Sequence, residues 1–216
     1  MKKRIFTGLL LVVFSLSISI PAAAVEMTTT AEADGPVASG QLVISDPSTG
    51  EQWNWDLDPS TILTENVEGT ARAAYASNQI GYAEIEVDIG EYLIQTMSKP
   101  VDIETVLRDD VTITVGLNYS ADASNNTVSI YRAYGSTPDN GFYYVVDKEF
   151  YYANPAVFGP IKKTPTTTSW SYSTDSTAGS YYGDVAPYAL LDCKITVRGM
   201  ESSCREVSVS CELTFT

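Results

Sequence analysis

No histidine occurs among the 216 residues. That excludes Ser-His-Asp and Cys-His catalysis, histidine metal sites and the H-E-x-x-H metalloprotease pattern. The chain also lacks a G-x-S-x-G elbow, a G-x-x-x-x-G-K-[ST] phosphate loop, a G-x-G-x-x-G fingerprint and an S-x-x-K dyad. Basic residues are few: 13 Lys and Arg face 27 Asp and Glu, for a net charge of −14. Nucleic acid and anionic lipid surfaces need a basic footprint, so neither is expected as a partner. The three cysteines include no C-x-x-C pair, and without histidine they do not make a zinc site. Outside the first 24 positions no stretch is long and apolar enough to span a membrane, so no transmembrane anchor is expected.

The beginning of the chain has its own pattern. A positive start, Met1-Lys2-Lys3-Arg4, precedes an apolar run from Ile5 to Ile20. Pro21 and Ala22-Ala23-Ala24 follow, which supply a helix end and small residues at a cleavage site. This is the layout of a secretory signal peptide over residues 1–24. The run is shorter than the ~20 residues a spanning helix needs. A secreted, extracellular protein is expected. No cysteine follows the run to carry a lipid. Residues 25–40, poor in apolar side chains, read as a flexible leader. Residues 41–216 read as a single domain, with a sub-division near 100 as the alternative.

That domain reads as strands. Residues 41–45, a turn over 46–50 and residues 51–57 suggest a hairpin, with Trp53, Trp55 and Leu57 on one face. Along 81–89, Ala83, Ile85, Val87 and Ile89 face one way and Glu84, Glu86 and Asp88 the other. Val111, Ile113, Val115, Leu117 and Tyr119 alternate with polar residues, and Val128, Ile130 and Tyr134 do so after a polar turn. Pairing Leu117 with Ile130, Tyr119 with Val128 and Ile113 with Tyr134 brings the apolar faces together. Residues 142–152 read as a doubly covered or bulged strand, 154–168 as a long loop, and 188–197 with 206–215 as a closing hairpin. Helix signals at 101–108 and 70–77 are weak. The expected fold is an all-β antiparallel β-sandwich, Ig-like or jelly-roll, with at most one or two short helices.

In the closing hairpin, one register sets Val197 against Val207, Ile195 against Val209 and Cys193 against Cys211. This predicts a Cys193–Cys211 disulfide and leaves Cys204 in the turn, free to join two chains in a dimer. Buried, unoxidised thiols are the alternative.

Among chemistry-bearing groups, Glu84 and Glu86 sit two apart on one strand face, about 6.6 Å between Cα atoms. A carboxylate glycosidase could use such a pair, but a solvated strand face is the plainer reading. Asp56 with Asp58, or Asp109 with Asp110, could offer oxygens to calcium, though neither forms a known loop. No catalytic residue, metal or cofactor is therefore assigned. Asn118-Tyr119-Ser120 and Asn125-Asn126-Thr127 match the N-glycosylation pattern. The fourteen tyrosines and three tryptophans are the main positive feature. Trp170 and Tyr172, between two polar loops, are the predicted contact residues for a ligand.

In its leader style, acidity and Ser/Thr/Tyr-rich loops the chain resembles small secreted proteins of Gram-positive bacteria. The reading is a secreted, non-enzymatic β-sandwich that binds a glycan or protein ligand at the cell surface. The alternative is a secreted membrane-active toxin or bacteriocin-like factor, with residues 164–180 as an insertion hairpin.

Overall fold

The computed structural model describes residues 36–59, 61–66, 78–96, 111–122, 124–138, 141, 143–175, 177–180, 185–198 and 204–215. All of them belong to one compact unit, Asp34–Thr216. The expected signal peptide, most of the leader, both weak helix signals and Asp109-Asp110 lie outside the described residues.

Alternation of apolar and polar residues over many short runs gives strands that bury one face, and two such sheets close on each other. The elements are β1 (Pro36–Ser45), β2 (Gln52–Leu57), β3 (Thr61–Asn66), β4 (Asn78–Asp88), α1 (Gly90–Thr96), β5 (Thr112–Asp122), β6 (Thr127–Ser136), β7 (Tyr143–Ala153), β8 (Ile161–Lys163), β9 (Ser169–Ser173), β10 (Gly179–Ser180), β11 (Tyr188–Val197) and β12 (Arg205–Phe215). Sheet A runs β2-β1-β12-β11-β7-β8. Sheet B runs β10-β6-β5-β4-β3, and β9 also pairs with β6. Every strand pairing is antiparallel. The fold is an all-β sandwich with one short helix among the described residues.

The core lies between the sheets. Leu42, Ile44, Leu191, Val209 and Leu213 of sheet A meet Ile85, Ile113, Val115, Leu117 and Ile130 of sheet B, all essentially sealed from solvent. Each such side chain contributes roughly 1.5–3 kcal/mol by leaving water. Pro36–Gly40, expected in the leader, is the first half of β1, where residues 36–45 pair with β12. Proline at the head of the strand gives up no ladder bond there. Gly40 belongs to this packing: a Cβ at that position would lie 2.4 Å from Ile85 Cδ1.

The first hairpin forms as expected. Asp46 accepts from the Ser48 backbone N–H at 2.8 Å and from its hydroxyl at 2.6 Å, and Gly50 takes a φ of 77°. Trp53, Trp55 and Leu57 face inward but are only half-buried, because β2 is the sheet edge. α1 closes over that edge, with Tyr92 in edge contact with Trp55 at 5.0 Å between ring centroids. No apolar periodicity announces so short a helix. Asp88 accepts from the Gly90 N–H at its start, and buried Leu93 holds it to the core.

Three sequence expectations are corrected. In β11–β12, Cys193 lies opposite Val207 and Ala189 opposite Cys211. The hairpin is therefore shifted by four residues from the predicted register, and all three cysteines are free. Cys193 and Cys211 are separated by about 13 Å along the strands, so the predicted disulfide is absent. An even shift keeps every side chain on its expected face, which is why alternation did not exclude it. In β5–β6, Tyr119 pairs with Ile130 but Asn118 with Arg132, so Tyr131 is a bulge. The extra residue turns Tyr134 from the core to the outer face. Finally, the long loop at 154–168 contains β8, which pairs with the end of β7. β7 itself carries the anticipated bulge, at Asp147, whose φ is 51°.

Candidate functional site

β9 decides where the predicted contact residues lie. It pairs with β6 through Gly135↔Trp170 and Ala133↔Tyr172, so both aromatics share the inward face of those small residues. Trp170 is 7% exposed and meets Phe150 edge-on at 5.6 Å. It fills the space above Gly135, where a Cβ would come within 2.8 Å of its Cζ2. Tyr172 is half-buried, 6.0 Å from the same Phe150 ring, with Lys163 Nζ at 5.7 Å from its own ring centroid. The side chains that β9 turns outward are Ser169, Ser171 and Ser173. The 164–180 segment is thus laid along β6 by β9 and β10.

The outer face of sheet B gathers a different set. The registers build two rows across the sheet. One runs Glu84–Gly116–Tyr134–Ser171, and the next runs Tyr82–Asn118–Arg132–Ser173. Tyrosines occupy one diagonal and the two charged residues the other. Tyr82, Glu84, Asn118, Arg132 and Tyr134 line a groove of about 310 Å³.

Gly116 shapes this groove. An added Cβ would lie 2.4 Å from Tyr134 Cζ and 2.6 Å from its hydroxyl oxygen. The Tyr134 ring therefore reclines over the neighbouring strand, covering a glycine with an aromatic side chain. Its phenol donates to Glu84; burial first, and this hydrogen bond second, hold its pKa well above the usual tyrosine value. Arg132 lies 5.6 Å from the Tyr134 ring centroid, and its Nε donates to Ser171 Oγ at 2.5 Å. The ring is fixed on both sides before any ligand arrives.

The other sequence candidates are apart from this arrangement or only touch it. Glu84 belongs to the groove, whereas Glu86 is exposed in the next row, opposite Thr114. Asp56 and Asp58 line a separate depression beside Glu212. Among the described residues no group of three or more His, Cys, Asp or Glu side chains is placed to hold a metal ion. Asn125 and Asn126 are in the β5–β6 turn, and Asn118 is in the groove.

A larger groove, about 620 Å³, lies on the opposite sheet among Val43, Ser45, Asp147, Lys194, Glu206 and Ser208. Its size is less informative than its chemistry. Lys194 is already paired with Asp147 at 3.0 Å, and no ring of Tyr, Trp or Phe lines it. The sheet B groove offers aromatic, donor and acceptor groups together.

Sequence reasoning missed Tyr82, Asn118, Arg132 and Tyr134. Tyr82 shares the outward parity of Glu84 and was legible from β4 alone. Tyr134 was not, because the Tyr131 bulge inverts its parity. The chain matches no protein-family model, no curated protein and no solved structure, so its own residues carry the functional reading.

Proposed function

We propose that this is an exported, non-enzymatic protein that binds a glycan at the cell surface through the outer face of sheet B. The observation that carries this reading is the reclined Tyr134 ring beside Tyr82, with Arg132, Asn118 and Glu84 around them. Sugar rings present C–H faces to an aromatic plane and hydroxyls at their rims. Tyrosine supplies an apolar body with a polar tip, and the surrounding guanidinium, amide and carboxylate supply donors and acceptors. The signal-peptide pattern of residues 1–24 supports export. Trp170 and Tyr172 contribute from below, as packing that stiffens the β6–β9 edge.

Co-sedimentation of the mature protein with cell walls, insoluble polysaccharides and liposomes tests the reading. The protein is expected to pellet with walls or a polysaccharide and to stay in solution with liposomes. Replacing Tyr82 and Tyr134 together by Ala should abolish pelleting and leave the β-sheet circular dichroism intact. Pelleting with liposomes alone would replace this function by a membrane-active one. Undiminished pelleting of the double variant would remove the site.

A further inference from the structure

We infer that the sheet B groove takes an uncharged oligosaccharide at least two sugars long, bound as a chain across Tyr134 and Tyr82. This rests on the glycan reading of that groove and specifies its ligand.

The length follows from the register. Tyr134 is in the row of Gly116 and Glu84, and Tyr82 is in the next row, with Asn118 and Arg132. Adjacent rows on one face are two residues apart, about 6.8 Å at the antiparallel rise. β5 separates β4 from β6 by two strand spacings, about 9.6 Å, so the two tyrosine Cα atoms are about 12 Å apart. A pyranose centred on one tyrosine is off-centre from the other, and the next sugar of a chain meets it. Tyr134 cannot swing across to share a single sugar with Tyr82. Its phenol is held by Glu84, and its ring rests over Gly116. The two rings therefore serve successive sugars.

The absence of ligand charge follows from the face around the groove. β4 turns Glu84, Glu86 and Asp88 outward, and β5 adds Asp122. Arg132 is the one cation that the described strands of sheet B turn to this side. Its single charge is set against the two carboxylates of Glu84 and Glu86, and its Nε–H is taken by Ser171 Oγ, which leaves its remaining N–H groups as donors. Unscreened repulsion reaches about 8 Å at physiological salt, far enough for Glu84, and for Glu86 two residues along β4, to act on a ligand in the groove. The whole chain, at −14, adds to it. A uronate polymer is repelled, whereas a neutral sugar meets Arg132 and Asn118 N–H donors and the Asn118 and Glu84 oxygens without a charge penalty.

The test is calorimetric titration of the mature protein with neutral gluco-, manno-, xylo- and N-acetylglucosamine oligomers, each from monosaccharide to hexasaccharide. Pelleting with polygalacturonate and hyaluronan runs alongside. One neutral series should gain at least about tenfold in affinity between one and three sugars, equivalent to about 1.4 kcal/mol, and then level off. Tyr82→Ala should erase that gain, and Tyr82→Phe should retain it, which separates stacking from a folding defect. A monosaccharide that binds as tightly as its trimer overturns the two-contact chain. Preference for polygalacturonate or hyaluronan, lost in Arg132→Gln, overturns the neutral ligand while leaving glycan binding standing. If neither neutral nor charged polysaccharide binds, the glycan reading itself falls, and this inference with it.

Discussion

Gly116 acts through what it leaves out. Any side chain there collides with the Tyr134 ring, yet the colliding atoms are at the far end of a side chain that can move. Gly116→Ala should therefore lift the ring, break its bond to Glu84 and leave the sandwich folded, at a cost of about 1 kcal/mol for the lost hydrogen bond. The phenol reports this directly. Burial and the Glu84 acceptor both disfavour its ionised form, so Tyr134 should ionise later than an ordinary tyrosine in an ultraviolet pH titration. In Gly116→Ala that late step should move down toward the usual range. If the titration is unchanged, the reclined ring is not what holds the pKa up. Trp170 teaches the complementary lesson. Its identity marked it as a contact residue, but the face it takes is set by pairing with Gly135 on another strand.

At the scale of elements, the closing hairpin gives the sharpest case. Cys193, Ile195, Val207, Val209 and Cys211 all face the core as their alternation requires. The register is nevertheless four residues away from the one that would join the thiols. Burial pushes Cys193 and Cys211 up to about 12, so neither forms a reactive thiolate near neutral pH. Cys204 is half-exposed at the start of β12. With the native protein at about pH 8, iodoacetamide should label the accessible Cys204 and spare the two buried thiols. After unfolding without reductant, all three should label. A protected Cys193–Cys211 pair in the unfolded chain would show that the strands had slipped to the other register. The β6 bulge works on the same logic with an odd step. One inserted residue exchanges core and surface for all that follows, which carries Tyr134 into the groove.

Across the whole molecule, one buried cluster ties three distant segments together. Arg205, 4% exposed at the head of β12, donates to the Thr96 carbonyl at 2.8 Å and pairs with Asp46 at 3.1 Å. The first contact neutralises the C-terminal end of α1, where carbonyls lack helical partners. The second fastens the β1–β2 turn. The Asp46 carboxyl is held below its ordinary value, first by the Ser48 hydroxyl and N–H and then by the Arg205 charge. A carboxyl lowered by folding adds stability above its unfolded pKa, near 4, and loses it as pH falls through the folded value. The melting temperature should thus be level above about pH 5 and decline below pH 4, and Asp46→Asn should be less stable at neutral pH with a shallower acid decline. An equally steep decline in Asp46→Asn would assign acid sensitivity to other carboxylates.

The sequence alone determined the sandwich class, the first hairpin with its Asp46 turn, and the inward faces of β4 and β5. Each of these depends on local chemistry: period-2 alternation, turn residues and a side-chain acceptor two positions from its donor. Tertiary structure alone decided the β11–β12 register, the outward turn of Tyr134, the burial of Trp170, the seven-residue α1 and the strand character of Pro36–Gly40. Alternation states which residues share a face. It does not state which strand lies alongside, how far that strand is shifted, or where one extra residue exchanges the faces. Those are properties of long-range pairing, and the groove on sheet B is assembled from three strands by that pairing.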